Sequence, residues 1–569
     1  MNDLKNKFLE RLNPVHIRFY QYYKNHLKLI ILSIIFSMVV SASGAALPWF
    51  LKQVVDRLFI QKEFSQLLPI MICMTGLILI LNLFLFFQSY FMEKVKLNLS
   101  IHLRMKLLES IFRKKMSFIK SKHTGEMTAL QNNELVLAEN IPEMIARIFF
   151  EFPIRIAALF VTMLYLNFKL TLFVLVAAPL SYMIMKKARK IRKNLSGQKM
   201  KIIARIFSDF QEFLSGIKII KAWNLFPYCR RKFDEDYRNY LVQRMREIKY
   251  NSSVKSALDL IIVLVLNLIL YFAVMEIKTE SATPGDYVGF IMALWLFLQP
   301  IQRIGMGYSN LVNATVAAER VLDVFEGHHY DEDNLEKGTE IEFINKIEIV
   351  DATYSYDGNT ILEGINMSFE PSKVYVIIGP NGIGKSTIIE SLIGFVQPSS
   401  GKILFNSVPL EQYNLSNVRS RISIVTQDIF LFNHSVRENI IFNNGFDDLE
   451  SRKRYEWALK TARVFDFLDM RGRNDSSELS EHGSNFSGGE KQRLCIARAL
   501  FKEYDLIILD ESNSNISKDV FSGILDTLCR NKDGKIIIFI SQDSTYWHFG
   551  DIIYEVSDKN VTRVEHGNW

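Results

Sequence analysis

GPNGIGKST, Gly379 to Thr387, stands between VYVIIG, an apolar β-rich run, and IIESLIGF, a helical one. A strand, a glycine-rich turn and a helix in that order aim backbone N–H groups at whatever sits before the helix, which is how phosphate oxygens are held. Gly379, Pro380, Asn381, Gly382, Ile383 and Gly384 make the turn, and Lys385, Ser386 and Thr387 open the helix. Lys385 supplies a point charge to β- and γ-phosphates, and the Ser386 hydroxyl is a Mg²⁺ ligand. One such pattern can arise by chance, but further motifs follow in order: Gln427, then FSGGE (Phe486 to Glu490), then LIILDE (Leu506 to Glu511). Asp510 ends an apolar strand, which fixes it at the sheet edge facing the loop, where it holds Mg²⁺ through water. FSGGE precedes the helical run KQRLCIARAL, so Ser487, Gly488 and Gly489 present a second helix N-terminus and a hydroxyl to phosphate. From Lys346 onward β-rich runs (KIEIV, VYVIIG, RISIVT, LIILD, KIIIFI) alternate with helical patterns, the order of an α/β domain with a largely parallel core.

Upstream the chain has another character. Hydrophobic residues make up 49% of the sequence, with 42 Phe, and much of that mass lies before residue 310. Leu29 to Leu51, Leu67 to Phe91, Ile154 to Leu166 with Leu170 to Ile184, Leu258 to Val274 and Tyr287 to Leu298 approach or exceed the ~20 residues that cross a bilayer. The first run is too long for a cleaved signal peptide and lacks its small-residue site. Ile154 to Leu166 is short by itself and is joined to a helical stretch from Ile141, whose Glu143, Arg147 and Glu151 then belong in water or an internal cavity. Polar residues within spans, Asn82, Gln88, Asp259 and Asn267, are candidates to line such a cavity.

The net charge of +7 is not a nucleic-acid signature, because the basic residues fall where membrane topology places them and no reader motif accompanies them. Met92 to Asn140 and Lys186 to Ser253 are rich in Lys and Arg, whereas the short loops near Gln61 and Ser281 are neutral or acidic. The positive-inside rule puts the basic segments in the cytoplasm. Leu4, Phe8 and Leu12 recur at helical spacing among basic residues, as in a helix lying on the cytoplasmic membrane surface. Cys73, Cys229, Cys495 and Cys529 are scattered and imply neither a disulfide framework nor a zinc site. His328 and His329 sit in a polar, acidic stretch (Glu326 to Glu342) that reads as a solvated linker rather than a metal site.

These motifs, in this order and behind these spans, resemble the ABC transporters in the exporter-type half-transporter form. The resemblance is strong after residue 345 and looser before it, where Gly285-Asp286, Pro300 and AAERV (Ala317 to Val321) match the last span and its exit. It implies a membrane α-helical domain of six long spans with cytoplasmic extensions (1–325), a linker (326–342) and an α/β P-loop ATPase domain of ABC type (343–569). It further implies that Glu511 is the general base, that Gln427 is the Q-loop glutamine sensing Mg²⁺ and attacking water, and that Tyr356, with Tyr354 as competitor, stacks on adenine. Ser487, Gly488 and Gly489 would serve ATP bound to the opposite subunit, so two half-transporters, alike or unlike, sandwich two ATP molecules. His123 to Ile141 and Phe207 to Trp223 would carry the cytoplasmic turns that touch the ATPase domains. Phe486 and Glu490 replace the family's usual Leu and common Gln. Gln542 stands where the family has a γ-phosphate histidine, and Ser514 to Ser517 replaces SALD, so that Ser517 takes the aspartate's place.

The function implied is ATP-driven export across the cell (inner) membrane of a small peptide, an amphipathic drug-like molecule or a lipid, with ATPase domain and N-terminus cytoplasmic. The lipid bilayer and a small substrate are the expected partners besides the second half-transporter. A slowly hydrolysing, ATP-gated regulatory or channel-like protein and an importer of metal chelates are the alternatives. No peptidase domain precedes the spans, so leader-peptide cleavage is not expected.

Overall fold

The computed structural model describes residues 14–122, 124–278, 282–327, 335–356, 358–442, 448–470, 472–480, 483–512 and 515–564, with only the backbone described at most positions between 176 and 204 and at Tyr356. The expected surface helix of Leu4, Phe8 and Leu12, the linker histidines His328 and His329, and Ser514 lie outside the described residues. The chain forms two compact units, Met1–Leu107 with Thr128–Asp323, and Leu108–Met127 with Val324–Trp569.

The first unit is helical. Among the described residues four helical stretches are long and apolar enough to cross a membrane: Pro14–Ile60, Phe64–Phe112, Phe226–Lys278 and Pro284–Glu326. Phe152–Leu166 is short, but it continues backwards through a π-helical stretch, Arg147–Glu151, into the helix Ile141–Ala146. Phe168–Ser215 follows after a single residue, Asn167, whose side chain caps it by accepting from the Leu170 N–H at 3.0 Å. The same Asn167 donates to Glu276, which also takes Lys169 at 3.0 Å and the Tyr287 hydroxyl at 2.5 Å. One carboxylate thus ties three helix ends together. Ser33, Ser37 and Ser41 recur every fourth residue along Leu27–Gly44 and are all buried, a small-residue face that admits close helix approach.

The first long excursion between spans turns earlier than the sequence suggested. Helix Leu67–Phe112 ends, a short helix Met116–Ser121 follows, and helix resumes at Thr124. The turn is therefore Arg113 to Lys122, upstream of His123 to Ile141, and it belongs to the second unit. There Lys114 Nζ donates to the Gly327 carbonyl at 3.0 Å, and Lys120 pairs with Glu390 at 2.6 Å. The stretch Thr124 to Glu134 misled because it carries polar residues without breaking helix. The second excursion turns at Gly216, runs through Ile217–Ala222, and turns again at Asn224, which adopts φ +54°.

The second unit holds two sheets. An antiparallel one has the order β2-β1-β4-β5, built from β1 (Ile347–Tyr356), β2 (Asn359–Phe369), β4 (Ser400–Phe405) and β5 (Val408–Pro409). The other has the order β10-β9-β3-β8-β7-β6, from β3 (Lys373–Ile378), β6 (Ile422–Val425), β7 (Leu506–Asp510), β8 (Ile536–Ile540), β9 (Ile552–Ser557) and β10 (Asn560–Val564). Its pairings from β9 to β6 are parallel, and only β10 runs antiparallel to its neighbour. Every residue of β7 and β8 is buried, as strands covered on both faces require. Apolar burial on both faces therefore holds the C-terminal ends of β3, β7 and β8 in register, and the loops that leave those ends carry the motifs.

Candidate functional site

The loop leaving β3 closes on Gly384, which precedes the helix Lys385–Leu392 and has φ +115°. A Cβ there would approach Ile361 and Leu362 of β2 to 3.0 Å, so both the backbone angle and the neighbouring strand demand glycine. A cavity of about 290 Å³ opens beside this loop, lined by Asn381, Gly382, Gly384, Lys385, Ser386 and Thr387 with Gln427, Glu511 and Ile361. Gly379, Pro380 and Ile383 shape the loop without lining the cavity. Lys385 is buried, and its Nζ donates to the carbonyls of Gly379 and Pro380 at 2.8 Å each. Its burial lowers the pKa, while Glu511 and Asp510 pull it back up.

Glu511 is the hub. It follows β7 in the left-handed region, φ +44°, a strained setting for a non-glycine residue that is found most often at functional sites. Gln427, beyond β6, donates from Nε2 to Glu511 Oε2 at 2.8 Å. Gln542, beyond β8, donates from Nε2 to Glu511 Oε1 at 2.8 Å and also reaches Asn381 Oδ1 of the loop. Both carboxylate oxygens are thus held by side-chain amides, and three motifs separated in sequence meet at one group. Asp510 is buried beneath, its carboxyl pushed up to about 6 by desolvation first and by Glu511 second, against the opposing pull of Lys385. A buried acid beside another carboxylate lacks positive charge. The Ser386 hydroxyl, the Gln427 amide oxygen and the Asp510 carboxylate are hard oxygen donors, the set that Mg²⁺ takes. The nucleotide and its metal therefore fit the residues present.

Other motif residues fall where the sequence did not indicate. The Ser487 hydroxyl accepts from the Glu490 N–H at 3.3 Å, and the Glu490 carboxylate accepts from the Ser487 N–H at 2.7 Å. Glu490 is therefore the reciprocal partner in a capping box on helix Gly488–Phe501, which explains the carboxylate at that position. Phe486 is buried under the Arg473 guanidinium, 4.7 Å from the ring centre. A Cβ on Gly489 would lie 2.4 Å from the Asn515 carbonyl oxygen, so this glycine is required by the neighbouring loop of the same chain. Gln492, missed in the sequence, is fully buried, accepts from the Asn515 N–H at 3.1 Å and donates to the Glu511 carbonyl at 3.4 Å. Only its position one turn after Gly489 could have singled it out. Ser517 sits at the N-terminus of helix Lys518–Arg530 without making a side-chain cap. Asp543 turns away from the cavity to cap the next turn through Thr545 and pairs with Lys518 at 2.8 Å, which holds its carboxyl down at about 2. Tyr356 ends β1 opposite Asn359, and its side chain lies outside the described residues. Its competitor Tyr354 is buried, 1% exposed, and so is a core residue.

A glycine-rich loop opening a helix, an acidic pair at the end of β7 two strands away and a capped helix at a glycine pair define an ATP-hydrolysing domain, here attached to long apolar helices. The family model of the ABC transporter transmembrane region matches residues 30–301, and the family model described as ABC transporter matches residues 362–514. The chain belongs to the ABC transporters, as an exporter-type half-transporter whose ATP hydrolysis drives transport. It is 26% identical over 509 residues to an ATP-dependent lipid A-core flippase of Desulfotalea psychrophila, covering 88% of this chain and 87% of that one. Another ATP-dependent lipid A-core flippase, from Pseudomonas aeruginosa, is 26% identical over 574 residues, covering 97% and 93%. Among solved structures, a bacterial Atm1-family ABC exporter with ATP bound superposes with a TM-score of 0.80 at 20% identity, covering 95% of each chain.

Proposed function

We propose that this protein, as one half of a dimer in the inner membrane, moves an amphiphile of the lipid class out of the cytoplasmic leaflet. Lipid is favoured over peptide or drug because relatives named as lipid A-core flippases align over nearly the whole chain. Six spans, a membrane domain over 1–325, a linker over 326–342 and a cytoplasmic ATPase domain over 343–569 complete the reading.

The observation that carries the ATPase half is the Glu511 carboxylate, poised beside Lys385 and Ser386 and gripped by two amides. ATP binds with its β- and γ-phosphates on the loop Gly379 to Gly384 and on Lys385, with Tyr356 against the adenine. Mg²⁺, held by Ser386, Gln427 and Asp510, supplies charge neutralisation at the phosphates when bound. Glu511 takes the proton of the attacking water once Gln427 and Gln542 turn from its oxygens toward water and γ-phosphate. Ser487, Gly488 and Gly489 close over ATP on the partner half, and the turn Arg113 to Lys122 passes the closure to the helices. Gln542 cannot titrate near neutral pH as a histidine does, which favours slow turnover and leaves open both a homodimer and a pairing with a partner half that carries a faster site. Reconstituted liposomes test the whole: ATP should move a fluorescent lipid between leaflets in the active protein and not in Glu511→Gln, and equal movement by both would overturn the proposal.

A further inference from the structure

The membrane unit contains a polar cavity that the ATPase chemistry does not use. Its volume is about 110 Å³, and it lies among Ser33 and Ser37 of the first long helix, Gln88 and Glu93 of the second, and Glu143, Arg147 and Glu151 of the third. Three carboxylates face one guanidinium. Arg147 is committed to Glu143 at 2.6 Å, and Gln88 Nε2 donates to Glu151 Oε2 at 3.0 Å. Arg155, one turn further on, interacts electrostatically with Glu151 and with Arg303, but neither arginine lines the cavity, whose own lining carries three carboxylates against the single guanidinium of Arg147. Ser37 is 5% exposed, lines the cavity, and its hydroxyl finds no hydrogen-bond partner among the described residues. The helix bearing Glu151 opens into its π-helical stretch, Arg147–Glu151, at this point, a distortion that recurs at functional sites.

Acceptors with an uncompensated negative charge, and a buried hydroxyl left without a partner, ask for a small cation that donates hydrogen bonds. Donor chemistry sets a limit. An ammonium offers three N–H donors to these acceptors, whereas a trimethylammonium has none to give Ser37 or the carboxylates. Depth supplies the source. Gln88 lies near the end of the apolar run Leu67 to Phe91, just before Glu93, Lys94 and Lys96, and Ser33 lies just after Lys28 at the start of its own run. Ser33 donates to the Gln88 carbonyl at 3.0 Å, so the two run-ends are at one level, that of lipid headgroups.

We infer that this cavity binds the primary ammonium of an aminoethyl lipid headgroup, entering from the leaflet on the basic, cytoplasmic side. The inference rests on the lipid reading above and gives it a headgroup chemistry. The ammonium donates to Ser37 Oγ and to Glu151, and the carboxylates repel a bare phosphate or an acidic headgroup.

The test is equilibrium binding to the full-length protein in phosphatidylglycerol nanodiscs without nucleotide. The probe is phosphatidylethanolamine with a fluorophore on its acyl chain, compared with the matching phosphatidylcholine. The ethanolamine lipid should bind about tenfold more tightly, the scale of one charge-assisted contact. Glu151→Gln keeps the acceptor for Gln88 and should remove most of that preference, as should Ser37→Val, which fills the cavity. Glu93→Gln, at an exposed position, should weaken the ethanolamine lipid about threefold and serves if the buried variants misfold. Equal binding of the two lipids would overturn the inference. So would an unchanged preference in a folded Glu151→Gln, or direct binding of a soluble amine-bearing peptide where the ethanolamine lipid does not bind. Since no ATP is present, such a failure leaves ATP-driven export standing, and a dead ATPase leaves this binding intact.

Discussion

Replacing Gly489 with alanine probes the contact between the glycine pair and the loop after Glu511. The added Cβ would sit 2.4 Å from the Asn515 carbonyl oxygen, whereas real Cβ contacts stay beyond 3.0 Å, so the loop must move by about 0.6 Å. The atom in the way is backbone and cannot rotate aside. The Asn515 N–H is bonded to the side chain of Gln492, which is fully buried and also touches the Glu511 carbonyl. Displacing the loop strands one end of that amide, a loss of about 1–3 kcal/mol, comparable to overpacking a core site. At about 2–4 °C per kcal/mol for a domain of this size, Gly489→Ala should melt about 2–12 °C below the parent and lose most of its ATPase activity. Gly488→Ala is the control, because its Cβ meets the Asn515 side chain at 3.3 Å, an atom that can swing away. Melting curves of the purified protein with and without Mg-ATP read both effects. If Gly489→Ala melts within about 1 °C of the parent and no lower than Gly488→Ala, the packing argument fails.

Gln542→His should raise steady-state ATP hydrolysis severalfold, and Gln542→Ala should lower it by removing one donor to Glu511, an effect of about tenfold at most; a colorimetric phosphate assay ranks the three, and a histidine variant no faster than the parent would remove the weak-site reasoning. Lys385→Ala should weaken binding of a fluorescent ATP analogue by about tenfold or more, since it removes the one charge aimed at the phosphates, and unchanged affinity would show that the backbone loop suffices. Lys120→Glu should uncouple hydrolysis from lipid movement by breaking the pair with Glu390, and Glu390→Lys in the same chain should restore part of it; lack of rescue would mean that the pair is ornamental. Asp510 has a folded-state pKa of about 6, above its ordinary 3.8, so its protonated form stabilises the empty domain at acid pH and that contribution is lost as pH rises from about 4 to about 6. The metal needs the ionised form, so Mg²⁺-dependent ATP binding should fall as pH drops through about 6, and Asp510→Asn should flatten that dependence.

The ATPase half was legible because its chemistry uses short, ordered motifs attached to strands that are apolar on both faces. Gln427, Glu511 and Gln542 lie far apart in sequence, yet each directly follows a buried parallel strand, and strand order alone brings them together. What stayed hidden was set by tertiary neighbours. Glu490 caps its own helix, Gly489 is glycine because Asn515 passes overhead, and Gln492 looks like any polar residue of an amphipathic helix. In the membrane half, apolar runs located the helices but not their ends. Thr124 to Glu134 looks polar enough for a turn and is helical, whereas the true turn at Arg113 to Lys122 has no glycine or proline to mark it. Of the polar span residues, Gln88 lines the inner cavity, while Asn82 bonds its own backbone at Ile78 and Asp259 and Asn267 are exposed. Composition alone cannot separate those cases.

The account turns on Glu511 as the group that takes the proton from the attacking water. Single-turnover hydrolysis of radiolabelled ATP by Glu511→Gln, in the membrane and with excess protein, tests it most directly, because the substitution keeps the side chain's shape and an acceptor for one of its two amide partners. The expected result is that ATP binds as in the parent and is retained uncleaved, with hydrolysis slowed by about 10² or more. Cleavage at the parent rate would contradict the assignment and return the role of base to another group in the cavity.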